Sequence, residues 1–135
     1  MGLTGLLTSG TEVLMEIIDL MEKGEYEQFV AFTDRSVGLR AFVAIHDTTL
    51  GPALGGCRIW PHATEEDAVF DVLRLARAMT YKNALAGLDL GGGKSLIWTD
   101  TTHGKTESLL KSFGEFIDTL GGRYYTTEDV GSTTE

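Results

Sequence analysis

Two lysines and one aspartate stand where chemistry is possible. Lys94 follows three glycines in GLDLGGGKSLIW, residues 87–98. Lys82 stands twelve residues earlier in MTYKNA, and Asp129 closes TTED near the end of the chain. A glycine run followed by lysine and serine invites a nucleotide reading. A phosphate loop of that type needs G-x-x-x-x-G-K-[ST]. With Gly93, Lys94 and Ser95 in the last three places, the first glycine would fall on Leu88, and Gly87 is one residue too early. The flanks are also reversed. Such a loop leaves a strand and enters a helix, so that helix N–H groups face the phosphate. Here a helical pattern comes first and apolar SLIW follows. The dinucleotide pattern G-x-G-x-x-G is absent as well.

Another chemistry suits Lys94 better. Glycines let a backbone and a ligand come close. A lysine entering a buried strand is desolvated, which favours the neutral amine, the form usable as a base. The alternative is a surface turn with a solvated lysine. Lys82 has two readings too: a cation complementing a helix C-terminus, or a second positive charge facing the same cleft and able to hold a carboxylate. Asp129 ends a strand-like run, where α/β sheets collect their ligands. It could accept a proton or bind an ammonium group there, or cap a following helix.

The elements that must position these residues follow from periodicity. EVLMEIIDLMEK, 12–23, has helical spacing, with Gly24 as a stop signal. EQFVAFTD and LRAFVAIHDT, separated by RSVG, predict a hairpin. TLGPALGG reads as a loop and CRIW as a short third strand. Thr64 opens a capping-box-like TEED, and a helix is expected from about 65 to 86 with Ala68, Val69, Val72, Leu73, Ala76 and Met79 inward. SLIWTD, 95–100, predicts a buried strand, with the glycines before it forming a turn. TESLLKSFGEFIDTL predicts a helix with Leu109, Leu110, Phe113, Phe116, Ile117 and Leu120 on one stripe, RYYTTED a last strand, and VGSTTE the start of another helix. This order predicts an α/β domain with a mixed, partly parallel sheet flanked by helices. GSTTE has helix-start character with no helix after it, so a longer polypeptide is expected.

Composition narrows the partners. A net charge of −9 over 135 residues argues against nucleic acid and anionic membrane surfaces. No apolar run approaches a membrane span. The one cysteine, Cys57, cannot form an internal disulfide, so a cytoplasmic location is expected. His46, His62 and His103 lack ligand spacing, and no metal is expected. The acidic run Glu65, Glu66, Asp67 reads as a solvated helix start, and Trp60 and Trp98 as core or interface.

HDTTLGPALGGCRIW, RLARAMTYKNALAGLDLGGGKSLI and GRYYTTEDVGSTTE together resemble the N-terminal domain of the glutamate/leucine/phenylalanine/valine dehydrogenases, the leucine enzymes above all. The resemblance runs from about residue 26 to the end. It implies oxidation of an L-amino acid to a 2-oxo acid and ammonia, with NAD as hydride acceptor. Lys94 matches the catalytic lysine, Asp129 the catalytic aspartate, and Lys82 the lysine that binds the substrate carboxylate. Gly55 and Gly56 match backbone lining the substrate cleft, Leu54 a wall of the side-chain pocket, and Thr127 another position in that pocket. In this light Lys94 activates water, Asp129 takes protons from the amine, and Lys82 orients the substrate.

The resemblance also implies that residues 1–135 form the substrate-binding and homo-oligomer-forming domain. The NAD-binding Rossmann domain is expected to follow outside this chain, leaving these residues inactive alone. Thr127 stands where the leucine enzymes usually carry Ala. Cys57 is closer to the phenylalanine enzymes, and EDVG closer to the leucine enzymes. The expected substrate is a branched-chain amino acid, leucine first, with phenylalanine or valine as alternatives. A non-catalytic amino-acid-binding or assembly module, and a nucleotide binder using GGGKS, complete the alternatives.

Overall fold

The computed structural model describes residues 16–128. Asp129, the expected helix start in VGSTTE and residues 12–15 of the first expected helix lie outside them. The elements run α1 (Ile17–Gly24), β1 (Gln28–Asp34), β2 (Leu39–Asp47), β3 (Ala53–Trp60), α2 (Glu65–Leu85), β4 (Gly91–Trp98), α3 (Glu107–Asp118) and β5 (Tyr124–Glu128). One five-stranded sheet has the order β1-β2-β4-β3-β5. β1 pairs with β2 and β2 with β4 antiparallel, whereas β3 runs parallel to both β4 and β5. This is the expected mixed α/β architecture.

Each face of the sheet has its own core. Ala41, Val43 and Ile45 of β2 pack with Ile59, Ile97, Leu109 and Phe113 beneath α3. Phe42 and Ala44, in the alternate phase, pack with Leu96 and with Ala68, Val69, Val72, Leu73 and Ala76 of α2. β2 is covered on both faces, so it reads as an unbroken apolar run rather than an alternating one. The Thr64 side chain caps α2 by accepting from the Asp67 N–H at 3.1 Å, as the TEED pattern predicts. Thr106 does the same for α3 with Leu109 N–H, at 3.2 Å. Leu110, expected on the apolar stripe of α3, is instead exposed.

Two glycine-rich segments depart from expectation. ALGG is part of β3 rather than a loop, and Gly91–Gly93 open β4 rather than forming a turn. The cause is close packing. A Cβ on Gly92 would collide with the backbone of Thr80 in α2, and one on Gly91 with the Asp47 carbonyl. Here glycine brings a helix directly onto a strand. The actual turn before β4 is made by Gly87, at φ +74°. At α1, Gly24 is the last helical residue and Glu25 takes the left-handed conformation at φ +60°. A Cβ on Gly24 would strike the Tyr26 ring.

Candidate active site

The expected site residues come from four elements. Lys94 lies inside β4 and is only 6% exposed. It is in phase with Leu96, which packs against α2, so its side chain leaves the sheet on the α2 face. Cys57 pairs with Ser95, which puts Gly56 level with Lys94, and Gly56 pairs on its other side with Thr127. Lys94, Gly56 and Thr127 therefore form one row across the three parallel strands. Thr127 is out of phase with Tyr124, which belongs to the α3-side core, so it too turns toward the α2 face. Leu54 is half-buried and Gly55 and Gly56 are buried. Lys82 is exposed in the last turn of α2. Its charge there opposes the partial negative charge of the helix end.

The backbone around Gly55 and Gly56 is unusual. The β3–β4 ladder pairs Leu54 with Gly92 and resumes at Cys57 with Ser95, skipping the two glycines between. A Cβ on Gly55 would collide with the Gly93 carbonyl. Tyr124, 2% exposed, donates its hydroxyl to Gly55 O at 2.8 Å, lies 3.3 Å from Gly56 O, and shares a 2.9 Å hydrogen bond with Ser95 Oγ. Carbonyls that leave the ladder thus find a buried partner.

Asn83, beside Lys82, is 3% exposed and donates Nδ2 to Leu54 O at 3.1 Å and Gly91 O at 2.8 Å. His46 is also buried, with Nδ1 2.8 Å from Thr80 Oγ1 and Nε2 2.9 Å from Gly24 O. A carbonyl only accepts, so Nε2 carries a proton; in the neutral ring Nδ1 then accepts from the Thr80 hydroxyl. Sequence reasoning missed Asn83, Tyr124, Ser95 and His46. Asn83 left one trace, a poor helix former late in a long helix.

A second polar cluster lies further along the same face. Asp71 of α2 accepts from Arg74 at 2.7 Å and from Arg58 of β3 at 3.2 Å, and sits 3.1 Å from His62 Nε2. Burial works against its ionisation, but the hydrogen bond from Arg74 and the charge of Arg58 outweigh that and hold the carboxyl below its ordinary value. With Trp60, three of these residues (Arg58, His62 and Asp71) line a cavity of about 300 Å³. Among the described residues, no three His, Cys, Asp or Glu side chains gather as a metal site. Cys57 is buried in the α3-side core.

Residues 23–135 match the family model described as Glu/Leu/Phe/Val dehydrogenase, dimerisation domain. The chain belongs to this family. It is 57% identical over 121 residues to the leucine dehydrogenase of Bacillus subtilis, covering 90% of this chain and 33% of that protein. It is 58% identical over 111 residues to the valine dehydrogenase of Streptomyces virginiae, covering 82% of this chain and 31% of that one. The crystal structure of L-tryptophan dehydrogenase from Nostoc punctiforme superposes with a TM-score of 0.85 at 42% identity, over 88% of this chain and 35% of that one. The chain thus spans about a third of the length of the curated relatives it matches. The leucine and valine dehydrogenases differ in the amino acid they are named for at nearly equal identity to this domain.

Proposed function

We propose that this domain is the substrate-binding and subunit-assembly part of an NAD-dependent L-amino-acid dehydrogenase, acting on a branched-chain amino acid and on leucine first. The observation that carries this reading is the row formed by buried Lys94 and Gly56 and exposed Thr127, on the side of the sheet that carries α2, with Lys82 exposed in the last turn of that helix. Two of its relatives are named for leucine and valine, both branched-chain amino acids, which agrees. In this reading Lys82 binds the substrate carboxylate, and the Gly55–Gly56 backbone lines the cleft beside the α-carbon. Lys94, enclosed by the sheet and α2, holds and moves a proton at the reacting centre. Asp129 takes protons from the amine. Leu54 and Thr127 shape the pocket for the side chain.

The glycine run before Lys94 is not a dinucleotide cradle. The glycine run that could have cradled a pyrophosphate is already filled by the Thr80 backbone and the Asp47 carbonyl. In this proposal the dinucleotide is held by a separate domain, and residues 1–135 alone do not turn over. Homo-oligomer contacts through this domain agree with the family description. A cytoplasmic location is part of the same proposal. None of the described helices is long and apolar enough to cross a membrane.

The test is NAD reduction by the complete enzyme with L-leucine, L-valine and L-phenylalanine, beside Lys94→Ala. Activity that vanishes in the variant is the expected result. Well-folded protein inactive on all three would overturn the reading in favour of a binding or assembly module.

A further inference from the structure

We propose that Asn83 is a positioning residue of this site: its side-chain amide ties the last turn of α2 to β3 and β4 and so fixes Lys82 relative to the Gly55–Gly56 backbone. The inference rests on the dehydrogenase reading for what Lys82 binds, whereas the tie itself stands on geometry. Asn83 follows Lys82 directly in α2 and is 3% exposed. Its Nδ2 donates to Leu54 O of β3 at 3.1 Å and to Gly91 O of β4 at 2.8 Å. Both partners are carbonyls, so the group facing them must be the NH2 and not the amide oxygen. An NH2 has two hydrogens, and two acceptors use them both.

The location of these bonds gives them their importance. Leu54 is the last residue of β3 paired to β4 before the ladder skips Gly55 and Gly56. At that gap the strands cannot hold each other in register through their own hydrogen bonds. The Asn83 amide bridges β3 and β4 from outside the sheet, just before the gap. Inside the gap, Tyr124 holds Gly55 O at 2.8 Å. The consecutive carbonyls of Leu54 and Gly55 therefore answer to two different side chains, and of the two only Asn83 sits on the helix that carries Lys82. Gly92, one residue past Gly91, packs flush on Thr80 of the same helix. The helix is thus pressed against β4 by glycine and locked along it by Asn83.

The complete enzyme tests this with Asn83→Ala, Asn83→Ser, Lys82→Ala and the double variant Lys82→Ala/Asn83→Ala. Asn83→Ala should raise KM for L-leucine by about tenfold with kcat changed less than about threefold. Asn83→Ser, which keeps one donor, should fall between. In the Lys82→Ala background, the Asn83 change should cost less than about twofold in kcat/KM, because the group it positions is already gone. A drop in Tm with KM unchanged, or effects that multiply fully in the double variant, would overturn the proposal. NMR of the unmodified protein reads the tie independently of substrate. Both Asn83 amide protons should exchange slowly and couple to the Leu54 and Gly91 carbonyl carbons. Fast exchange of both would overturn the tie even if the enzyme is a dehydrogenase. Slow exchange combined with a KM indifferent to Lys82→Ala would instead sink the assigned role of Lys82.

Discussion

The two faces of one sheet are built on different principles. Under α3 the filling is chiefly Val43, Ile45, Ile59, Ile97, Leu109 and Phe113, with the small hydroxyls of Ser95 and Ser112 and the Tyr124 hydroxyl as its buried polar groups and no buried charge among them. Under α2 the apolar patch of Phe42, Val69, Val72 and Leu96 is flanked by buried His46, Asn83 and Lys94, and by the Arg58–Asp71 pair. Burying such polar groups costs free energy unless each is hydrogen-bonded. The α3 face holds the domain together, and the α2 face gives up some of that stability for placed polar atoms. Substitutions on the two faces should therefore separate stability from activity.

The largest separation is expected at Lys94. Lys94→Met keeps the apolar stem and removes the amine, so the fold should persist. If Lys94 handles the proton as proposed, kcat should drop about 10²–10⁴-fold. Circular dichroism and urea unfolding alongside the kinetics check this, and a large loss of stability with activity retained per folded molecule would reverse the assignment of the faces.

Leu109→Ala is the counterpart across the sheet. Leu109 is 1% exposed within the α3-side core. Emptying that volume should cost about 2–5 kcal/mol in urea unfolding while KM and kcat of the folded fraction stay put. A change in KM at Leu109 would mean that the faces are coupled through the strands between them.

Gly92→Ala comes next. Its new methyl would meet the Thr80 backbone, which no rotamer change can move aside. Overpacking of this kind should cost about 1–3 kcal/mol. Unlike Leu109→Ala, it should also raise KM, because it pushes away the helix that carries Lys82. Equal damage to stability with KM untouched would separate the glycine run from the site.

That glycine run also marks where the sequence stops being readable. The three helices among the described residues, the hairpin and the Thr64 cap follow from local periodicity and local hydrogen bonding, and each is found close to its expected place. Gly91–Gly93 and Gly55–Gly56 look like loop residues because glycine is depleted in strands. Their reason for being in strands lies elsewhere in the chain, at Thr80, Asp47 and the Gly93 carbonyl. The lysines were visible by charge and by the neighbouring motifs. Asn83 and Tyr124 were not, because what they do depends on carbonyls 29 and 69 residues away in sequence. Of the proposed acid–base residues, Asp129 falls outside the described residues, so the sequence alone speaks for it.

Asp71 sharpens the comparison within the α2 face. Its carboxyl lies below the ordinary 3.8, since Arg74 and Arg58 outweigh the effect of burial. A group with a depressed folded value contributes stability that is present above its unfolded value and lost as pH falls through the folded one. The Tm advantage of the unmodified protein over Asp71→Asn should therefore be full near neutral pH and shrink below about pH 4. Thermal melts from about pH 7 to about pH 2 would read it. A gap independent of pH would mean that Asp71 acts through packing, like its neighbours Val72 and Leu73, and not through charge.

The smallest effect, and the only stabilising one, is expected on the helix beyond the α3-side core. Gly114 lies within α3, is exposed, has a helical rather than a positive φ, and a Cβ there would meet nothing within 4 Å. Gly114→Ala should therefore stabilise by about 0.5–1 kcal/mol, mainly by restricting the unfolded chain. Gly38 is equally open but sits at φ +72°, so Gly38→Ala should instead destabilise. Urea midpoints of the two variants, measured side by side, should move in opposite directions. If both rose, free space alone would govern glycine replacement in this domain, and the left-handed φ at Gly38 would carry no cost.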